Sequence, residues 1–141
     1  MLGIARTTTG GPLPALSFYL RGTPPGPNRQ RGQHWAETYR SQQEWKGDTA
    51  LVAKDAMNKS GITDFPWPAV DIALTFRFAK ATRRDIPNLV AAAKPIIDGI
   101  VAAGIVKDDS YVYLDEVRCR VQRHLEPQPG VVVLVTPCAH R

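Results

Sequence analysis

Val70-Asp71-Ile72-Ala73-Leu74-Thr75-Phe76-Arg77-Phe78 alternates large apolar side chains with small or polar ones along its whole length. Successive side chains of a strand point to opposite faces, so Val70, Ile72, Leu74, Phe76 and Phe78 share one side, and the pattern predicts a strand with one face in a core. The chain leaves it through Lys80-Ala81-Thr82-Arg83-Arg84-Asp85, a basic turn ending on an acid. It then enters Pro87 to Ala103, which is Ala- and Ile-rich, helical by composition and stopped by Gly104. Pro95 lies inside that helix, where the missing N–H and the ring predict a kink or a lost hydrogen bond.

Upstream, Leu16, Phe18 and Leu20 alternate in a first short strand. Pro24-Pro25-Gly26-Pro27-Asn28 precludes regular structure after it. The following Arg29 to Trp35 stretch carries Arg29, Arg31, His34 and Trp35 without periodicity, which fits a phosphate-contacting loop or a merely solvated one. From about Thr38 to Lys59 the period becomes helical: Trp45, Thr49, Val52, Ala53, Ala56 and Met57 form the inward stripe, and Gly61 ends it. Downstream, Glu116 to Leu125 alternates, with Val117, Cys119, Val121 and Leu125 opposing Arg118, Arg120, Gln122 and His124. Val131 to Val135 is a continuous β-branched and aliphatic run, as expected of a strand covered on both faces or central in its sheet. The expected order is β-α-β-α-β-β, an α/β (α+β) domain with a mixed sheet of about four strands and two main helices in a second layer.

The 141 residues make one domain, 1–141, with tails expected at 1–14 and 137–141, and such a length buries a real core unaided. Hydrophobic residues at 43% and charged residues at 22% exclude fibrous and wholly disordered classes. Eighteen Lys+Arg against thirteen Asp+Glu give +5, a balance that favours polyanionic partners. Cys119 and Cys138 are too few and too far apart in sequence for a zinc site or disulfide framework and fit a reducing compartment. No signal-peptide run and no stretch of roughly 20 apolar residues occurs, so a cytoplasmic protein with no membrane partner is expected.

The acids between Asp85 and Asp109 carry the chemistry. Asp85 ends one turn, Asp98 lies within the following helix, and Asp108-Asp109 end the next turn after Lys107. Mg²⁺ prefers such carboxylate oxygens, and a lysine among them suits a phosphate substrate. Lys94 precedes Asp98 by one helical turn and shares its face. The same residues also fit a helix cap at Asp85, a surface ion pair between Lys94 and Asp98, and an ordinary turn at Asp108-Asp109.

Arg83-Arg84-Asp85-Ile86-Pro87-Asn88-Leu89, Lys94-Pro95-Ile96-Ile97-Asp98-Gly99-Ile100-Val101 and Gly104-Ile105-Val106-Lys107-Asp108-Asp109 together resemble the signature of the RusA-family Holliday junction resolvases. These are small homodimeric Mg²⁺-dependent endonucleases, and the Pro24–Asn28 loop resembles their Pro-Pro-Ser-x-Asn segment. The resemblance spans about residues 16 to 125. It implies an endonuclease that resolves four-way DNA junctions in recombination and repair, with Asp85 and Asp109 as metal ligands and Lys94 as catalytic lysine. Mn²⁺ is expected to substitute for Mg²⁺. Asn88 matches the motif asparagine, and Arg29, Arg31, Arg83, Arg84, Asn88 and Lys107 are the expected DNA contacts. Pro87 stands where the motif has a second aspartate, and the Asn88-to-Asp98 spacing is about one helical turn longer than in the shorter motif, as in actinobacterial and phage relatives. Asp98 and Asp108 are the candidates to supply the missing carboxylate. A junction-binding relative without cleavage, a nuclease for flaps or forks, and a small α/β domain with no nucleic-acid role are the competing expectations.

Overall fold

A computed structural model describes residues 14–24, 35–78, 86–122 and 128–138. The elements are β1 (Leu16–Arg21), α1 (Trp35–Ser60), β2 (Val70–Arg77), α2 (Ile86–Ala92), α3 (Lys94–Ala103), β3 (Leu114–Val121) and β4 (Gly130–Pro137). The four strands form one mixed sheet in the order β1-β4-β2-β3. β4 pairs antiparallel with both β1 and β2, whereas β3 runs parallel to β2, reached through the α2–α3 crossover. The α/β two-layer expectation holds.

The period-2 pattern decides which sheet face is covered. Leu16, Phe18, Leu20, Ile72, Leu74, Phe76, Val131, Val133 and Val135 all point to the helix side and are buried. Ala53, Ala56 and Thr49 of α1 and Ile96 and Ile100 of α3 meet them from above, with Trp45, Val52 and Met57 packed at the margin. Each fully buried aliphatic side chain contributes about 1.5–3 kcal/mol by leaving water.

β4 is central in its sheet, one of the two settings expected for its run, and is covered on one face only: Val132 is half-buried and Leu134 is 36% exposed, because all three helices lie on the other side. Its unbroken aliphatic run reflects a central place in the sheet, between the edge strand β1 and β2, rather than two covering layers. Other expectations are corrected. Pro137 closes β4 and the Cys138 N–H donates to Ala69 O, so the C-terminal tail does not start at 137. β3 begins at Leu114 rather than Glu116 and is an edge strand, which leaves even Val117, on the helix side, 37% exposed. Residues 123–127, including His124 and Leu125, lie outside the described residues. α1 is longer than its periodic stretch, and α2 starts at Ile86, one residue before the proline. The helix read as continuous from Pro87 is two helices broken at Ala93, with Pro95 in the first turn of α3. There its missing N–H costs nothing, whereas in one long helix its ring would meet the carbonyl of Ala91.

α1 and α3 cross closely because Gly99 has no side chain. A Cβ there would stand 2.5 Å from Thr49 Cβ and 2.8 Å from Lys46 O. Lys54 Nζ donates to the Ala103 carbonyl at 3.4 Å, satisfying an end of α3 from the neighbouring helix. Among the described residues no helix is long and apolar enough to cross a membrane.

Candidate active site

The site is built by the path of the chain around α3. Ten helical residues advance about 15 Å from Lys94 to Ala103. Gly104, at φ 94°, adopts the left-handed conformation that ends the helix and turns the chain back. Ile105 and Val106 are buried on the return, and Trp67 N–H donates to Ile105 O at 2.7 Å while Val106 bridges to Trp67. The bent return segment 105–109 then brings Asp109 back beside Lys94.

Lys94 is where the two ends meet. Its Nζ donates to Asp98 Oδ1 at 2.9 Å and to Asp109 Oδ2 in a shorter contact. The side chains are 59% exposed for Lys94, 33% for Asp98 and 36% for Asp109, so the cluster opens to solvent. The hydrogen bond from Lys94, reinforced by its charge, holds the Asp109 carboxyl below its ordinary range. In return Asp109 first, and Asp98 second, push the Lys94 ammonium up.

Of the residues expected from sequence, the structure therefore joins Lys94, Asp98 and Asp109. Lys107 and Asp108 are exposed on the same return segment, next to Asp109. Arg29, Arg31, Arg83, Arg84 and Asp85 lie outside the described residues, as does the side chain of Asn88. The donor set at Lys94 consists of hard carboxylate oxygens, Asp98 and Asp109, which suits Mg²⁺ or Mn²⁺.

A second group was not legible in the sequence. Asp71, Asp115 and Cys138 bring potential ligand atoms within 4.8 Å of one another. The register shifts between Val70 and Asp71, which pair with Leu114 and Glu116, so Asp115 is the extra residue of a bulge. Asp71 Oδ1 is buried with no hydrogen-bond partner. Only strand register assembles these three residues, and no spacing along the chain announces it.

No protein-family model matches the chain, and no curated protein matches it.

Proposed function

We propose that the protein is a Mg²⁺-dependent endonuclease of branched DNA, a cytoplasmic RusA-like Holliday junction resolvase acting as a homodimer. The observation that carries this reading is the meeting of Lys94, Asp98 and Asp109 at one exposed point, although Asp109 lies 15 residues from Lys94. These are three of the positions to which the motif resemblance assigns the chemistry.

Asp98 and Asp109 are the described carboxylates that would hold the metal, with Asp85 and Asp108 as further ligands assigned by sequence. Bound there, Mg²⁺ would supply charge neutralisation at the phosphate and a more acidic water. Lys94 positions both carboxylates and carries the positive charge that meets a scissile phosphate. Lys107, exposed beside the acids, adds a backbone contact without sequence choice. The net charge of +5 favours such a polyanion. A two-fold dimer would present two such sites to the near-symmetric arms of a junction.

A junction-binding protein without cleavage is the second reading. It is favoured by Pro87, which offers no side-chain ligand where the motif has an aspartate, and by an ammonium already seated between the two described carboxylates. Incubating a synthetic four-way junction with the protein in Mg²⁺, Mn²⁺ and Ca²⁺ separates the two. The nuclease reading expects paired nicks in the first two metals and none in Ca²⁺, with loss of cutting but not of binding in Asp109→Asn. Tight binding without nicks in any metal rejects it. Forks, flaps and linear duplex run beside the junction at one salt concentration fix the preferred substrate.

A further inference from the structure

We propose that the face of the sheet turned away from the helices is a track for a nucleic-acid backbone, led by Arg118 and Arg120. Strand register defines that face. Opposite the buried parity lie Ser17, Tyr19 and Arg21 of β1, Gly130, Val132, Leu134 and Thr136 of β4, and Asp71, Ala73, Thr75 and Arg77 of β2. Arg118 is paired with Ala73 and Arg120 with Thr75, which puts both arginines on the same side. The charges are sorted along the strands. Asp71 and Glu116 stand where β2 and β3 begin, whereas the four arginines occupy the middle and the opposite end.

The small side chains Ser17, Ala73 and Thr75, with Leu134 beside them, leave a groove of about 520 Å³ flanked by Arg118 and Arg120. Two residues along a strand advance about 6.8 Å. One strand of a DNA duplex carries two phosphates over about that rise. Guanidinium groups at such spacing can each take a phosphate in a forked pair of hydrogen bonds, and the Ser17 and Thr75 hydroxyls add neutral donors.

Both arginines are available. The Arg120 side chain has no ion pair or hydrogen bond among the described residues, and the contact of Arg118 to Glu116 is 3.3 Å long between two side chains more than half exposed. Such a pair holds its partners weakly. Arg77 differs: it donates to Gln122 Oε1 at 2.6 Å and lies over the Tyr19 ring, so it closes the end of the track. A second copy is the poorer occupant, because two faces with the same arginine excess do not neutralise one another, whereas a polyanion does. The inference takes the nucleic-acid class of partner from the preceding reading and needs no cleavage.

The test is equilibrium binding of a fluorescein-labelled duplex and four-way junction to the full chain in Ca²⁺, across a NaCl series. The double variant Arg118→Gln/Arg120→Gln is compared with Arg40→Gln/Lys59→Gln, which removes the same charge from exposed positions of α1. The expected result is a rise in Kd of about tenfold or more, with the slope of log K against log salt reduced by about 2. The α1 pair should change Kd by less than about threefold. Equal effects of the two pairs, no effect of Arg118→Gln/Arg120→Gln, or a wild-type chain that binds neither DNA overturns the proposal. So does a shift from dimer to monomer in light scattering with the salt slope unchanged, which would make the face a contact between copies. Cutting by the wild type in Mg²⁺, measured separately, judges the nuclease reading whatever the binding result.

Discussion

Lys94, at the start of α3, donates a hydrogen bond to Asp109, which the chain reaches only after the whole helix and a reversal at Gly104. The pair fixes a pH response in metal-free protein. Asp109 is held below its ordinary 3.8 and Lys94 above its ordinary 10.5, each chiefly by its hydrogen bond to the other. The contribution of Asp109 is present above 3.8 and is lost as pH falls through its lower folded value. That of Lys94 is present below 10.5 and is lost as pH rises through its higher folded value. Stability from this pair is therefore flat between those limits, and small, because both groups are well exposed. Carboxyl carbon shifts of Asp109, recorded by NMR in EDTA, should titrate below 3.8 and move back towards it in Lys94→Met. An unchanged midpoint in that variant would mean that the contact is absent in solution.

Catalysis should depend on the same lysine in a different way from folding. Lys94→Met is expected to lower junction cleavage in Mg²⁺ by about 10²–10³-fold, the scale for losing one group aimed at developing charge. The melting temperature should barely move, because the ion pairs it breaks are exposed. Cleavage at the wild-type rate by Lys94→Met would remove the lysine from the chemistry.

These dependencies show why part of the molecule is legible in sequence and part is not. The alternation in Val70–Arg77 marks the covered face residue by residue, since burial follows the strand period directly. Lys94 and Asp98 are legible as neighbours because a helical turn joins them. Asp109 joins them through a return path whose length only the fold defines, so no helical spacing announces the contact. The parallel direction of β3, its edge position and the bulge at Asp115 depend on pairing between distant segments, which leaves no local pattern. Hence the Asp71–Asp115–Cys138 group escaped, and the aliphatic run of β4 could not tell a central strand from one covered on both faces.

Gly99 lies beside Asp98, so the packing of α1 on α3 should be felt in the site. In Gly99→Ala the new Cβ meets Thr49 Cβ and the Lys46 carbonyl, neither of which can rotate away. The helices must separate, at a cost of about 1–3 kcal/mol. Urea unfolding should show the lower midpoint with an unchanged slope. A variant as stable as the wild type would show that the two helices pack less closely than the structure has them.

Thr49 offers the opposite sign at the same contact. It is fully buried, and its Oγ1 has no hydrogen-bond partner. Removing an unsatisfied hydroxyl while keeping the branched shape avoids its desolvation cost, so Thr49→Val should stabilise the fold by about 1 kcal/mol. The same urea titration detects this as a rise in midpoint. Destabilisation would mean that the hydroxyl has a partner in solution, such as a bound water.

Gly130 makes a weaker demand, because what stands over it is the end of a side chain. A Cβ at 130 would come within 1.9 Å of the Tyr19 hydroxyl oxygen and 2.2 Å of Cζ. The Tyr19 ring lies across the glycine and beneath the Arg77 guanidinium, whose Cζ is 5.6 Å from the ring centroid. The ring can swing outward, so Gly130→Ala should relieve the clash by giving up the cation–π contact, worth about 0.5–1 kcal/mol at an exposed site. The net loss should be smaller than for Gly99→Ala, where the obstructing atoms belong to the helix itself. In Tyr19→Ala the three atoms nearest to that Cβ are gone, so adding Gly130→Ala to that background should cost no more than a few tenths of a kcal/mol. A double-mutant cycle in urea measures the difference. Equal costs of Gly130→Ala with and without the tyrosine would show that the ring does not lie across the strand.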